Sequence, residues 1–358
     1  TCLRDIAEAQ DPESGSVPMT APCHWTPDEV DPVCSSFVET AWYLHLYCGE
    51  RALLRELFPH FLAWCNCLEH AAENHILLRG GEIGDWVPPV KFSAPGSCRS
   101  GLVPKELVAT ALYGYTVSLT ARIAAFLGER GEADRLERQF AAIRAAFHGR
   151  FHRGEGRYES DSQAAYCYAL YCDMVPEELR GAAFAHLVAR FEADGRKLTT
   201  GNIGTKYLLE ILSHFGRSDL AFGMVNSTEY PGWGYMLANG ATTLWERWEN
   251  ATGSGMNSHN HPMLGSVGSW FYKYPAGIRP LPDSDGFDRF LLAPDFVAGL
   301  NEVEAEYDSF AGMIRSRWRR EDDRIEWTFS IPPNTEAVVR LPDGTDRHCG
   351  AGEYRLTI

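Results

Sequence analysis

The chain of 358 residues is 45% hydrophobic, enough to bury one large core and a smaller satellite, which excludes a disordered chain. Its 33 lysines and arginines face 48 aspartates and glutamates, and the formal net charge of -15 disfavours nucleic acid or an anionic membrane as partner; a neutral polar ligand suits it better. No run of about 18 apolar residues marks a membrane-spanning helix, and Thr1-Cys2-Leu3-Arg4-Asp5 has neither the basic nor the apolar part of a signal peptide.

In chain order, Leu3 to Ala9 already repeats at helical spacing with no cap before it. Phe37-Val38, Ala41-Trp42 and Leu44-His45 form the next apolar stripe, stopped by Gly49, and Leu53-Leu54, Leu57-Phe58, Phe61-Leu62 and Cys65 form another. A long helix is predicted over 104–128, opened by Pro104, with further helices over 133–148, 161–173, 177–193, 204–215, 218–228 and 262–274. The absence of long alternating strands among them argues against a TIM barrel or a doubly wound sheet. After Val297 the period becomes two, as in Val303-Glu304-Ala305-Glu306-Tyr307, Ile314 to Trp318 and Ile325 to Phe329, with turns at Asn334-Thr335 and Pro342-Asp343-Gly344 and a last strand at Tyr354 to Ile358. The expected division is a helical domain over 1–297 and a small antiparallel β-sandwich over 298–358, whose roughly five strands lean on the helices to cover an open face. Antiparallel helices can stack as a solenoid or close as a barrel. Tryptophans, acids and histidines gather in the connections, which favours a barrel with a pocket at one end.

Ten cysteines lie mostly in apolar helical patterns, without C-x-x-C pairs, and are expected as buried reduced thiols; disulfides are the alternative for an exported protein. They favour the cytoplasm over the periplasm, although the sequence fixes no localisation. No cofactor is called for.

Four clusters carry candidate chemistry. Glu229-Tyr230-Pro231-Gly232-Trp233-Gly234-Tyr235 and Asn239-Gly240-Ala241-Thr242-Thr243-Leu244-Trp245-Glu246-Arg247-Trp248 surround an acid with aromatic rings, as a sugar site requires: pyranose faces stack on tryptophan and hydroxyls need directional partners. The competing reading is a core helix end with Trp245 and Trp248 buried and Glu246 paired to an arginine; the glycines and proline before it weigh against that. Asn260 and His261, in Asn257-Ser258-His259-Asn260-His261-Pro262-Met263, suit hydroxyl or carboxylate bonding, and no third ligand at a convincing spacing supports a metal. Asp85 and Trp86, in Gly84-Asp85-Trp86-Val87-Pro88-Pro89, are placed at a pocket rim. Leu198-Thr199-Thr200-Gly201-Asn202-Ile203-Gly204-Thr205 opens a helix but fits no phosphate-binding pattern.

Pro104-Lys105-Glu106-Leu107-Val108-Ala109-Thr110-Ala111, Leu198-Thr199-Thr200-Gly201, the stretches from Tyr230 to Tyr235, Gly240 to Trp248 and Ser258 to Met263, and the tail Ile331-Pro332-Pro333-Asn334-Thr335 and Gly350-Ala351-Gly352-Glu353-Tyr354 resemble, in the same order and over nearly the whole chain, the inverting bacterial α-L-rhamnosidases of glycoside hydrolase family 78. The resemblance implies an (α/α)6 barrel that cleaves terminal α-L-rhamnose, with Glu246 as general base; Asp85, Trp86, Trp233, Trp245, Asn260 and His261 are expected to line the sugar. Inversion needs a second carboxyl as acid. In the family it lies in a segment before the first residue here, and Thr1 to Asp11 look like the helix after it, so the barrel's opening helices are expected to be missing. Where the family commonly has Asp-Pro-Ala-Trp-Gly-Asp, this chain has Asp31-Pro32-Val33-Cys34-Ser35-Ser36, so Cys34 replaces a stacking ring and Ser36 a carboxylate.

Two functions compete: rhamnoside hydrolysis, and a non-catalytic rhamnose-binding or scaffolding remnant. If the chain is catalytic alone, Asp85, Glu29, Asp31 and Glu229 are the loop acids to consider, Asp31 first. An open barrel seam is also expected to bind the upstream segment or a second copy of the chain.

Overall fold

The computed structural model describes residues 1–22, 30–322 and 324–358. Eleven α-helices are described: α1 (Cys2–Glu8), α2 (Ser36–Cys48), α3 (Arg51–Ala71), α4 (Lys105–Leu127), α5 (Arg130–Phe151), α6 (Gln163–Tyr171), α7 (Glu177–Ala193), α8 (Asn202–His214), α9 (Ser218–Val225), α10 (Trp233–Ala238) and α11 (Ser266–Lys273). Burial sorts them into two layers. In α4 and α6 nearly every residue is buried, so the helix is walled in all round, whereas α5 and α7 bury one stripe and expose the rest to water. The inner helices α2, α4, α6, α8 and α11 pack in succession, and α3, α5, α7 and α9 each cover the inner helix before them. The ring is a helical barrel wall of consecutive hairpins. Among the described residues no comparable packing joins α11 to α2; they meet where the Lys273 ammonium lies 5.5 Å from the centre of the Tyr43 ring.

The predicted stops are met physically. Gly49 ends α2 and Gly128 ends α4, both in the left-handed conformation that L side chains avoid. The expected helix over 262–274 becomes a 3-10 turn, Met263–Gly265, followed by α11. The six-residue α10 was not anticipated, since it is too short to show a period.

After the helices come β1 (Ile278–Pro280), β2 (Arg289–Leu292), β3 (Glu302–Ser309), β4 (Gly312–Glu321), β5 (Arg324–Ile331), β6 (Glu336–Arg340), β7 (Asp346–Cys349) and β8 (Gly352–Thr357). They form two four-stranded sheets, ordered β1-β2-β6-β7 and β3-β4-β5-β8. The second is wholly antiparallel, and the first is antiparallel except where β2 pairs with β6 in parallel, so the expected antiparallel sandwich is met with one parallel pairing. Strands begin at Ile278, ahead of the division expected at residue 297. With three and four residues, β1 and β2 are too short to alternate visibly, and the partner of β2 lies far along the chain. Phe290, Leu292, Ile314, Trp318, Trp327, Phe329 and Val339 fill the space between the sheets.

The sandwich leans on the helices, as expected. The Trp318 indole donates to the Pro275 carbonyl at 2.7 Å, and the amides of Gly286 and Phe287 donate to the His45 and Leu46 carbonyls at the end of α2. The nine described cysteines are all free thiols, five of them buried.

Candidate active site

The acid singled out by sequence sits in irregular chain after α10. The segment from Ala241 to Asn250 forms no helix, which removes the core-helix reading. Its backbone pairs with the next loop instead: the Glu246 amide donates to the Ser258 carbonyl and the His261 amide to the Leu244 carbonyl, both at 2.9 Å. Two segments that the sequence separates by a glycine-rich stretch are thereby locked side by side. The Glu246 side chain is 9% exposed, and its Oε1 accepts from the Asn257 amide at 3.1 Å. Its other oxygen has no hydrogen-bond partner among the described residues, so the arginine pair does not form and one lone-pair face stays available. Arg247 reaches the Cys98 thiol, while Glu249 accepts from the Val90 amide and the Tyr230 hydroxyl. The segment is clamped from both sides.

Two of the tryptophans expected to line the sugar, Trp233 and Trp245, are buried. Trp233 is buried, donates its indole N–H to the Leu264 carbonyl at 3.0 Å and meets Trp248 edge to face. Trp245 is buried with its ring edge-on to His259. Trp233 also lines a cavity together with Phe222, Leu237 and Phe271. Trp86 is half-buried, and its carbonyl accepts from the Asn202 amide at 2.7 Å.

Asp85 is sealed in the core, not set at a pocket rim. It is fully buried, with Oδ2 accepting from the Gly201 amide at 2.6 Å and Oδ1 from the Gly204 amide at 3.2 Å and the Tyr168 hydroxyl at 3.1 Å. It thus caps α8, where backbone donors and the helix dipole favour negative charge. A Cβ on Gly201 would stand 2.3 Å from the Trp86 carbonyl, so only glycine allows this approach. Burial lifts the Asp85 carboxyl from 3.8 to about 6 despite its three donors. Among the other loop acids, Asp31 caps the turn Pro32–Ser35 and accepts from the Val33 and Ile83 amides, while burial raises its pKa. Glu229 is exposed, with the Lys197 ammonium 2.8 Å away holding its pKa low, the wrong direction for a proton donor. Glu29 lies outside the described residues.

Asn260 is exposed on the loop, its backbone amide donating to the Ser258 hydroxyl. His261 is half-buried, and its Nδ1 accepts from the Met263 amide at 3.3 Å. In the neutral ring this bond puts the proton on Nε2, which makes that nitrogen a donor for a ligand oxygen. Among the described residues no cluster of three or more His, Cys, Asp or Glu is arranged for a metal ion.

Cys34 and Ser36 line a cavity of about 310 Å³ together with Glu39, Tyr115, Asn202 and Lys206. Cys34 is buried, with its sulfur 3.3 Å from that of Met19, and burial pushes its thiol up to about 12, so it is an inert wall. Ser36 is exposed at the start of α2. Glu39 and Lys206, which join across this cavity at 2.8 Å, were not picked out from sequence. A usable signal existed: each is a charge interrupting an apolar helical stripe, and Lys206 follows Asn202 by one turn on the same face.

The sequence model of the bacterial α-L-rhamnosidase six-hairpin glycosidase domain matches residues 1–274, and that of the bacterial α-L-rhamnosidase C-terminal domain matches residues 277–355. An α-L-rhamnosidase of Streptomyces avermitilis is 34% identical over 347 residues, covering 90% of this chain and 32% of that protein. The solved structure of that organism's α-L-rhamnosidase complexed with L-rhamnose superposes with a TM-score of 0.88 at 30% identity, covering all of this chain and 36% of that one. The α-L-rhamnosidase from Dictyoglumus thermophilum superposes at 0.91 with 28% identity, over 99% of this chain and 42% of that one. The chain therefore spans about a third of the length of the relatives it matches. With both domain models matched in order and nearly end to end, the chain belongs to the bacterial α-L-rhamnosidase family.

Proposed function

We propose that this chain carries the water-activating side of a glycosidase that removes terminal α-L-rhamnosyl groups with inversion, Glu246 acting as the general base. The observation that supports this is the state of the Glu246 carboxylate: one oxygen is oriented by Asn257, the other is free, and the backbone is fixed against the loop that presents His261. A base needs that combination, since its orientation must survive while one oxygen takes the proton of water. The Nε2–H of His261 is suited to a sugar hydroxyl nearby. Inversion also needs a carboxylic acid across the sugar, about 6.5–9.5 Å from the base. Asp31, Asp85 and Glu229 each hold other partners.

The test is release of 4-nitrophenol from its α-L-rhamnopyranoside by the protein and by Glu246→Gln, with the anomer of the first rhamnose released read by proton NMR. Loss of about 10²–10⁴ in kcat and initial β-rhamnose are expected. Undiminished turnover in the variant overturns the base, and initial α-rhamnose overturns inversion. A protein that binds rhamnose without turnover points to the second reading, a carbohydrate-binding remnant.

A further inference from the structure

The cavity beside Cys34 and Ser36 contains polar groups for which neither the fold nor the proposed base chemistry has a use. Glu39, on α2, is one turn beyond Ser36, and its Oε1 receives the Lys206 ammonium at 2.8 Å. Its Oε2 has no hydrogen-bond partner among the described residues. Lys206, on α8, stands among the rings of Tyr43, Tyr171 and Tyr207 at 5.4, 6.0 and 6.0 Å. Both side chains keep a minority of their surface open, 20% for Glu39 and 25% for Lys206, so neither is sealed in the core nor free in solvent. At the cavity wall one turn before Lys206, Asn202 is 1% exposed, and neither its amide nitrogen nor its carbonyl oxygen has a partner. An ion pair kept in a mostly apolar cavity contributes little stability of its own, and an unpaired buried amide costs some. Side chains with spare donors and acceptors at a cavity are arranged for a ligand that supplies hydroxyls.

We propose that the Glu39–Lys206 pair, with Asn202 behind it, is a hydroxyl-binding subsite that grips two adjacent hydroxyls of a pyranose. The free carboxylate oxygen accepts from one hydroxyl, and the ammonium, with two N–H groups beyond the one given to Glu39, donates to the next. The tyrosines around Lys206 give the sugar an apolar flank. L-Rhamnose has such a neighbouring pair at O2 and O3, so the proposal rests on the rhamnoside reading and says which part of the sugar this cavity recognises.

Isothermal titration calorimetry with methyl α-L-rhamnopyranoside and its 2-deoxy analogue, on the protein and on Glu39→Gln and Lys206→Met, tests it. The protein is expected to lose about 10- to 100-fold in affinity when the 2-hydroxyl is absent, the range of a hydrogen bond to a charged group. The variants are expected to bind both ligands equally and weakly, an indifference that a packing defect would not produce. Thermal melts identify any variant that fails to fold, and Lys206→Arg, which keeps the pair, replaces it in the cycle with its preference for the 2-hydroxyl retained. Variants that bind the rhamnoside as tightly as the protein overturn the subsite and leave the rhamnoside reading standing. No rhamnoside binding, with methyl α-D-mannopyranoside held in a manner that needs Lys206, upholds the subsite and overturns rhamnose. Binding of neither glycoside overturns both.

Discussion

Replacing Asp85 with alanine tests the reassignment of this residue from pocket rim to anchor. The carboxyl is acceptor for the Gly201 amide, the Gly204 amide and the Tyr168 hydroxyl, all buried. Each donor left unpaired costs about 2 kcal/mol, or about 6 kcal/mol for three. The native protein carries an opposing cost at neutral pH, because the carboxyl, lifted from 3.8 to about 6, is ionised there against its preference in the folded state. At 1.36 kcal/mol per tenfold that amounts to about 3 kcal/mol, so the net loss at pH 7 is about 3 kcal/mol. A raised aspartate contributes stability that is full below its unfolded value and is lost as pH rises through 6. The gap between native protein and variant should therefore widen from pH 7 to pH 4.5. Urea unfolding followed by tryptophan fluorescence at the two pH values reads this directly. A loss under about 1 kcal/mol, or a gap that narrows on acidification, would refute the anchor.

Two further outcomes follow from the packing. Trp318→Ala should destabilise the protein by about 3–5 kcal/mol, since it empties the centre of the sandwich and frees the Pro275 carbonyl; a calorimetric transition left within a degree of the original would contradict this. Leu237 on α10 and Phe271 and Tyr272 on α11 are 72%, 39% and 44% exposed, and Leu237 and Phe271 line one cavity, so residues 1–358 should self-associate through this apolar surface. Light scattering that shows a monomer at micromolar concentration would count against that surface, whereas dissociation by Leu237→Lys would support it.

Much of this architecture is visible in the sequence, because helices long enough to repeat their apolar stripe, such as α3, α4 and α7, announce themselves locally. What escaped was non-local. The parallel partner of β2 follows it only after an intervening sheet, and α10 has too few residues for a period. The site divides in the same way. Glu246 and its neighbours stand in one contiguous motif, and the resemblance locates them. Asp85 was placed at a rim because a Gly-Asp-Trp loop ended by prolines usually lies at the surface; its burial depends on amides 116 and 119 residues further on. Glu39 and Lys206 are 167 residues apart, and no local rule joins them.

The bonds from Gly286 and Phe287 to the carbonyls of His45 and Leu46 bear on how this protein can be dissected. Those carbonyls belong to the final turn of α2, and that of His45 accepts from the Gly49 amide as well. The two recognisable sequence regions, divided near residue 275, are consequently not interchangeable modules. Trimming the chain there would strip the end of an inner helix and bare Tyr47, which packs on Phe287 and Tyr307. A chimera that borrows a sandwich from a relative has to import the matching last turn of α2 as well, so the inheritable unit crosses the boundary drawn by sequence similarity.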